Sequence, residues 1–196
     1  MAIGLENGSF AYPNGYVANE NLNLTIEKGE RIAIVGQNGA GKTTAVKLMN
    51  GLNRPSEGDV FVDGVNTKDK SCAWISRKVG YVFQNPDDQI FNSTALAEIQ
   101  YMPKYFKLPE GEIKKRTDRA VELTGIQKYL TMNPLDIPYA IRKFVAIAAI
   151  IATEPDYLIL DEPTAGQDKR GNETLERIIE ELGREGTGVI AISHDM

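Results

Sequence analysis

Length, composition and charge exclude several classes of protein. The chain has 196 residues and a mass of 21.6 kDa, which predicts one domain with a substantial core. Its 22 Lys and Arg residues against 27 Asp and Glu give a net charge of −5, without the basic cluster that direct nucleic-acid binding requires. The single Cys72 excludes an intrachain disulfide and a cysteine zinc cluster, which fits a reducing cytosol. The longest apolar run, residues 144–152, is too short to span a bilayer.

A short strand, a glycine-rich loop and a helix follow one another between residues 31 and 51. Residues 32–35 form a β-rich apolar run, and the helical apolar pattern after the loop ends at Gly51. The spacing of the glycines relative to Lys42 and Thr43 is the Walker A pattern of phosphate-binding loops. A chance glycine-rich turn is the competing interpretation, and the strand-to-helix context weighs against it. The residues that the pattern assigns to a nucleotide are Gly36, Asn38, Gly39, Ala40, Gly41, Lys42, Thr43 and Thr44.

The residue types in this loop suit a triphosphate with a bound magnesium ion. Backbone N–H groups of the glycines and the positive end of the helix dipole favour an anion. Lys42 would neutralise the β- and γ-phosphates and is also a candidate catalytic residue. The Thr43 hydroxyl suits Mg²⁺, and Thr44 is placed for the α-phosphate.

Alternating apolar and polar residues flank a turn near the N-terminus. Residues 4–12 and 22–26 alternate, and residues 13–15 supply turn chemistry, so we predict an antiparallel β layer here. Phe10 and Tyr12 fall on one face of the first strand. Either ring could stack on a nucleotide base or simply cover the sheet, and spacing alone leaves this open.

The middle of the chain changes from strands to helices. An Asp-Gly hairpin signal lies at residues 63–64, and a further strand at 79–83 ends at Gln84, whose amide could reach a metal ion or an attacking water. A glutamine at a strand end is usually structural when taken alone. Between residues 92 and 152 the 3.6-residue period predicts helices, and the apolar stretch 140–152 indicates a buried one.

Two further strand ends carry polar side chains. The apolar strand at 157–160 delivers Asp161 and Glu162, where ligands bind in open α/β sheets. This is a Walker B pattern, in which Asp161 can hold Mg²⁺ through a water and Glu162 can orient or deprotonate the attacking water. A last strand at 188–192 precedes His194, whose position makes it a candidate for the γ-phosphate.

With these motifs in place, the chain resembles the ATP-binding cassette (ABC) ATPases over almost its whole length. The Walker A loop, Gln84, residues 160–168 and His194 occur in the order and approximate spacing of that family. The resemblance implies an α/β P-loop NTPase fold with a RecA-like core, an antiparallel β subdomain and a helical subdomain.

The resemblance also implies how the chain is divided. It predicts one domain over residues 1–196, with the core and β layer at about 1–90 and 153–196 and the helical subdomain at about 91–152. Family members continue past the histidine with further helices, so a C-terminal truncation at Met196 is expected.

Residue roles follow from the same resemblance. Tyr12 would stack on adenine, and Gln84 would link Mg²⁺ to the coupling helix of a transmembrane partner. Glu162 would be the catalytic glutamate, Asp168 an aspartate that faces the opposite subunit, and His194 the switch residue at the γ-phosphate.

Residues 83–91 are particularly similar to the energy-coupling-factor and cobalt-type importers, which take up vitamins or transition-metal ions. This resemblance implies ATP and Mg²⁺ as cofactors, and a second cassette and a transmembrane transport subunit as partners, with no nucleic acid. It places the chain at the cytoplasmic face of the cell membrane.

One family motif is altered. Residues 137–141 read Ile-Pro-Tyr-Ala-Ile where the family carries Leu-Ser-Gly-Gly-Gln, the signature that grips the γ-phosphate bound to the other subunit. Pro138 has neither a hydroxyl nor an N–H group, Tyr139 would crowd a close approach, and Gln167 replaces a common leucine. We therefore hypothesise that this chain is the signature-degenerate half of an asymmetric pair, with weak ATPase activity until a partner supplies an intact signature.

Two alternative functions stay open. A regulatory subunit that binds ATP with little hydrolysis would fit the altered signature, although the intact Glu162 and His194 argue against it. A soluble cassette ATPase of translation or DNA repair would usually show tandem cassettes, basic linkers or coiled-coil inserts, which this sequence lacks.

Overall fold

The computed structural model describes residues 1–193, which form two four-stranded sheets with helices between and outside them. The strands are β1 (Ala2–Ala11), β2 (Val17–Glu27), β3 (Arg31–Val35), β4 (Glu57–Val62), β5 (Val65–Asn66), β6 (Val79–Val82), β7 (Tyr157–Asp161) and β8 (Gly188–Ser193). The α-helices are α1 (Lys42–Met49), α2 (Cys72–Ile75), α3 (Ala95–Tyr105), α4 (Glu110–Thr124), α5 (Tyr139–Ile151) and α6 (Lys169–Arg184).

The first sheet is antiparallel in the order β2-β1-β4-β5 and confirms the predicted β layer. Ile3 of β1 lies opposite Ile26 of β2 and opposite Val62 of β4, and all three side chains are fully buried. The predicted hairpin at Asp63 and Gly64 joins β4 to β5. Both turn residues have positive φ, 51° and 78°, as tight hairpin turns require.

The second sheet is parallel in the order β3-β8-β7-β6, so the carboxyl ends of its strands meet at one edge. Every residue of β7 is buried because both faces of the sheet are covered. Ile159 faces α1 and the antiparallel sheet, whereas Leu158 and Leu160 face the outer helices. The four strands predicted here are confirmed, although β6 ends one residue before Phe83.

Helices α3, α4 and α5 confirm the predicted helical stretch between residues 92 and 152. Residues 143–149 of α5 are all buried, which confirms that this apolar helix lies inside the fold. Among residues 1–193, no helix is both long enough and apolar enough to cross a bilayer. The finer division into subdomains remains a prediction.

Helix α1 fixes the position of the loop that precedes it. Its residues Val46, Leu48 and Met49 are fully buried in a cluster that joins both sheets. Because α1 is held between the sheets, the glycine-rich loop lies at the carboxyl edge of the parallel sheet, beside the end of β7. The fold therefore brings the two predicted Walker motifs to one place.

Candidate nucleotide-binding site

The glycine-rich loop has a backbone that only glycine tolerates at its last position. Gly39 and Gly41 have φ values of 82° and 81°, in the left-handed region. A Cβ atom added at Gly41 would lie 2.4 Å from the carbonyl oxygen of Ala18. Helix α1, which follows, has no side-chain cap and no acidic residue in its first turn. Its first N–H groups and its positive dipole end are therefore available to an anion.

Lys42 folds back over the loop. Its Nζ donates to the carbonyl oxygens of Gly36 at 2.5 Å and Gln37 at 3.0 Å. This places a positive charge inside the curve of the loop, at the point where the sequence predicts the outer phosphates. A phosphate oxygen would be a stronger acceptor for this ammonium group than a neutral carbonyl.

Thr43 and Asp161 connect the Walker A loop to the end of β7. The Thr43 Oγ1 donates to Asp161 Oδ2 at 3.1 Å and lies 3.3 Å from Oδ1. The Asp161 carboxylate is 3% exposed and also accepts a 2.6 Å hydrogen bond from the hydroxyl of Tyr81 on β6. Burial, together with the hydrogen bond to Asp161, raises the pKa of Tyr81, so its hydroxyl stays a donor.

Glu162 begins the turn that follows β7. It is 6% exposed and has φ 49°, which is unusual for a residue with a side chain. Its carbonyl oxygen accepts a 2.9 Å hydrogen bond from Nζ of the buried Lys143, which also donates to the carbonyl of Ala165 at 3.0 Å. Burial lowers the pKa of Lys143, while attraction to Glu162 and Asp161 opposes that shift. A cation thus lies directly behind the Walker B carboxylates.

The structure distinguishes the two aromatic residues of β1. Phe10 packs against the core, whereas Tyr12 is 40% exposed and its hydroxyl lies 3.1 Å from Oγ1 of Thr44. The ring of Tyr16 is stacked near that of Tyr12, with centroids 6.2 Å apart and planes 26° from parallel. Tyr12 is therefore the ring that opens toward the phosphate loop, and Tyr16 lies beside it.

A cleft of about 350 Å³ brings most of the predicted site residues together. Asp161 joins this site through Thr43, and Gly36 lies behind Lys42. His194 lies outside the residues that the structure describes, so its role remains a prediction. The cleft is lined by Tyr12, Tyr16, Ala18, Asn38, Gly39, Ala40, Gly41, Lys42, Thr43, Thr44, Gln84 and Glu162.

Three residues at this site were not identified from the sequence. Tyr81 carries a hydroxyl within a buried strand, and Lys143 carries a charge at the start of a buried helix. A polar group in an apolar run is a signal for such residues, because a buried polar group needs a partner. Tyr16 gave no signal beyond its place in the turn after Tyr12.

Residues 137–141, where the sequence predicts an altered signature, lie at the start of α5. Pro138 precedes the helix, which has no side-chain cap, and Tyr139 in the first turn is 44% exposed. A Cβ atom added at Gly166 would lie 3.5 Å from the Tyr139 ring, so the ring rests against the segment after Glu162. The side chain of Gln167 donates to the carbonyl of Ala140 at 2.9 Å. The Gln167 side chain therefore links this segment to the start of α5.

Comparisons with known proteins agree with this arrangement. The family model described as "ABC transporter" matches residues 19–165. A putative ABC transporter ATP-binding protein of Pyrococcus furiosus is 46% identical over 187 residues, which cover 95% of this chain and 72% of that protein. The energy-coupling factor transporter ATP-binding protein EcfA2 of Clostridium perfringens is 40% identical, covering 100% of this chain and 72% of that protein.

A solved structure shows the same fold. The structure of cbiO1 from Clostridium perfringens, described as part of the ABC transporter complex cbiONQ, matches with a TM-score of 0.87 at 35% identity. The match covers 98% of this chain and 78% of that chain. The predicted P-loop NTPase fold is thereby confirmed, and the chain belongs to the ABC transporter family, as an ATP-binding subunit.

Proposed function

We propose that this chain binds Mg²⁺–ATP in the cleft at the phosphate loop and hydrolyses it to drive a membrane importer. The observation that carries this proposal is the contact of the Thr43 hydroxyl with the Asp161 carboxylate, 3.1 Å apart at the edge of a loop suited to phosphates. Hydroxyl and carboxylate oxygens are ligands that Mg²⁺ prefers, so these residues fit the ion. Charge neutralisation at the phosphates is the chemistry that the bound ion would supply.

The residues of this chain would divide the work of hydrolysis. Lys42 would bind the outer phosphates, and Tyr12 would stack on the adenine ring. Glu162, at the end of β7, would take the proton of the attacking water, while Gln84 would orient that water or the metal. His194 would contact the γ-phosphate. Support for this division comes from the shared cleft that Tyr12, Lys42, Gln84 and Glu162 line.

The importer is proposed to be of the energy-coupling-factor type, for vitamins or metal ions, at the cytoplasmic face of the membrane. Support comes from residues 83–91 and from the similarity to EcfA2 and cbiO1. A membrane subunit would dock on exposed aromatic rings that follow Gln84 in the chain. Phe91 is 66% exposed and Tyr105 60% exposed, and Phe91 lies 4.7 Å from the ring of Tyr101. Exposed aromatic clusters of this kind are typical of protein interfaces.

The partner cassette is proposed to carry an intact signature. At the start of α5, Pro138 offers neither hydroxyl nor N–H, and the half-exposed Tyr139 would crowd the approach of a phosphate. A pair of such chains would therefore contain two impaired sites. A pair with one intact partner would contain one complete site, formed by the Walker motifs of this chain and the signature of the partner.

The altered signature also favours a second candidate, a subunit that binds ATP but acts as a brace with little hydrolysis. The Glu162→Gln variant separates the two functions, since glutamine keeps the shape of glutamate and cannot accept the proton. If Glu162 is the general base, ATPase activity of the assembled complex falls by about 100-fold or more. Unchanged activity, with the variant incorporated normally, would favour the brace.

ATP binding and turnover by the purified chain alone complement the test with Glu162→Gln. We expect the purified chain to bind ATP in the presence of Mg²⁺ and to turn it over slowly, with activity rising when the membrane subunit and partner cassette are added. Robust turnover by the chain alone would contradict the asymmetric arrangement. Failure to bind ATP at all would contradict the proposed function itself.

A further inference from the structure

The hydroxyl of Tyr81 contacts the Walker B aspartate from the neighbouring strand. Tyr81 lies opposite Ile159 in the register of β6 and β7, and Asp161 follows on the same face two residues later. The 2.6 Å distance from the Tyr81 hydroxyl to Asp161 Oδ2 is typical of a hydrogen bond to a charged acceptor. Tyr81 is 7% exposed, and its ring is packed edge-on against Phe83 with centroids 5.0 Å apart. The ring therefore holds its hydroxyl in a fixed place.

Among residues 1–193, two side chains donate to the Asp161 carboxylate, Thr43 and Tyr81. Thr43 is itself the proposed ligand of Mg²⁺, so its hydroxyl would have to turn from Asp161 toward the ion. Tyr81 is not a proposed ligand of the ion, and it is buried on the strand next to β7, so its bond to Asp161 does not have to be given up when the ion binds. Once Thr43 has turned, Tyr81 is the side chain that still fixes the rotation of the carboxylate.

We infer that Tyr81 is a positioning residue for Mg²⁺, whose hydroxyl anchors Oδ2 of Asp161 and thereby fixes the rotation of the carboxylate beside the Thr43 hydroxyl. This inference rests on the proposed binding of Mg²⁺–ATP. Mg²⁺ demands near-ideal octahedral geometry, so a carboxylate free to rotate would hold it less well. Residues that orient a metal ligand through hydrogen bonds typically change metal affinity when they are lost.

The Tyr81→Phe variant tests this with little disturbance, because it removes one oxygen atom and keeps the ring in place. Binding of a fluorescent ATP analogue to the purified chain is measured first in EDTA and then at increasing Mg²⁺. We expect unchanged affinity in EDTA, and a Mg²⁺ concentration for half-maximal effect that rises about tenfold. The same titration with Mn²⁺, followed by its electron paramagnetic resonance signal, reports metal binding directly.

Tyr157→Phe is the matched control. Tyr157 is likewise a buried tyrosine of the parallel sheet, and its hydroxyl donates to Asp63 Oδ1 at 2.9 Å, at the opposite end of β7 from Asp161. We expect this variant to leave the Mg²⁺ dependence unchanged. Thermal unfolding of both variants checks that each is folded.

Three results would overturn the inference about Tyr81, and the third would overturn the proposed function as well. If Tyr81→Phe leaves the Mg²⁺ dependence as in the wild type, Tyr81 has no positioning role. Equal shifts in Tyr81→Phe and Tyr157→Phe would show a general loosening of the sheet, and would also overturn it. If the wild-type chain binds no nucleotide with or without Mg²⁺, the proposed function fails, and the inference about Tyr81 fails with it.

Discussion

The N-termini of two helices, α1 and α5, are alike in their backbone but differ in the space around them. Neither α1 nor α5 has a side-chain cap, so each presents unpaired N–H groups and the positive end of its dipole. Before α1, Gly41 leaves a cleft open, whereas α5 follows Pro138 and carries the half-exposed Tyr139 in its first turn. A free helix N-terminus is therefore common to both, and the space around it decides which one can hold a phosphate.

The positively charged side chains near the two helix starts also differ, in the partners that they bind. Within residues 1–193, Lys42 donates to two carbonyls of its own loop, which a phosphate can replace. Arg142, in the first turns of α5, forms an ion pair with Asp87 and donates to the carbonyls of Leu135 and Ile137. The guanidinium of Arg142 is therefore held by contacts within the fold.

We call the start of α1 with its glycine-rich loop the phosphate face, and the start of α5 the signature face. The predictions below test the contrast between them.

The largest expected effect is on the phosphate face. The Lys42→Met variant should weaken ATP binding by about 100-fold, or about 2.7 kcal/mol, as expected for loss of a charge-assisted contact. Isothermal titration calorimetry of the purified chain measures this. The control is Lys47→Met in the last turn of α1, which removes the same charge away from the loop and should bind ATP normally. Equal losses in both variants would mean that the effect comes from net charge.

The next effect concerns the link between the two faces. Lys143 joins α5 to the carbonyls of Glu162 and Ala165, so Lys143→Met leaves one buried and one partly buried acceptor without this donor. We expect the free energy of unfolding to fall by about 2 kcal/mol, because each unsatisfied group costs about 1–3 kcal/mol and relief of the buried charge offsets part of this. Urea denaturation measures it. Lys143→Gln, which keeps an N–H donor, should lose less, and an equal loss would exclude the hydrogen bonds as the cause.

The same lysine predicts a pH dependence. Burial lowers the pKa of Lys143 below the value of about 10.4 for an unfolded lysine. Between these two pKa values the unfolded chain binds more protons than the folded one, so the contribution of Lys143 to the free energy of unfolding rises with pH in that window. The stability difference between wild type and Lys143→Met should therefore grow as the pH approaches 10.4. A difference that shrinks would contradict the direction of this pKa shift.

A smaller effect is expected from rebuilding the signature face. The double variant Pro138→Ser with Tyr139→Gly restores a hydroxyl and removes the ring from the helix start. If pairs of this chain are impaired by their signatures, the ATPase rate of the purified chain should rise by about tenfold, a modest share of what a single phosphate or oxyanion donor supplies. Pro138→Ala with Tyr139→Gly is the control that lacks the hydroxyl. No increase in a folded double variant would contradict the steric explanation.

The sequence predicted the residues of the phosphate face far better than the buried residues that hold them in place. The structure brings Lys42, Thr43, Asp161 and Glu162 together because the Walker patterns fix both their spacing and the strand ends beside which they lie, and their roles at a nucleotide stay predictions. The bond between Tyr81 and Asp161 joins residues 80 apart, and depends on the order of strands in the sheet. Local periodicity predicts strands and helices, but it does not determine which strands are neighbours.

The signature face was predicted in part for a similar reason. Residues 137–141 led to the prediction of an altered signature, whereas the bond of Gln167 was not predicted. Its bond to Ala140 spans 27 residues between a turn and a helix. The altered signature therefore stays a prediction from the sequence, and the structure adds the hydrogen bond of Gln167 that holds this helix start.

The smallest expected effect is on ATP affinity, and it is tested by replacing one exposed tyrosine on each face. Tyr16 is 57% exposed beside the cleft, and Tyr139 is 44% exposed at the start of α5. If Tyr16 contributes to base stacking next to Tyr12, Tyr16→Leu should weaken ATP binding by about fivefold while hardly affecting inorganic triphosphate, since an aromatic contact contributes about 0.5–1.5 kcal/mol. Tyr139→Leu is the matched control and should bind both ligands normally. Because leucine keeps apolar bulk at both positions, equal affinity for ATP in the two variants would mean that Tyr16 only covers Tyr12, and that the base meets a single ring.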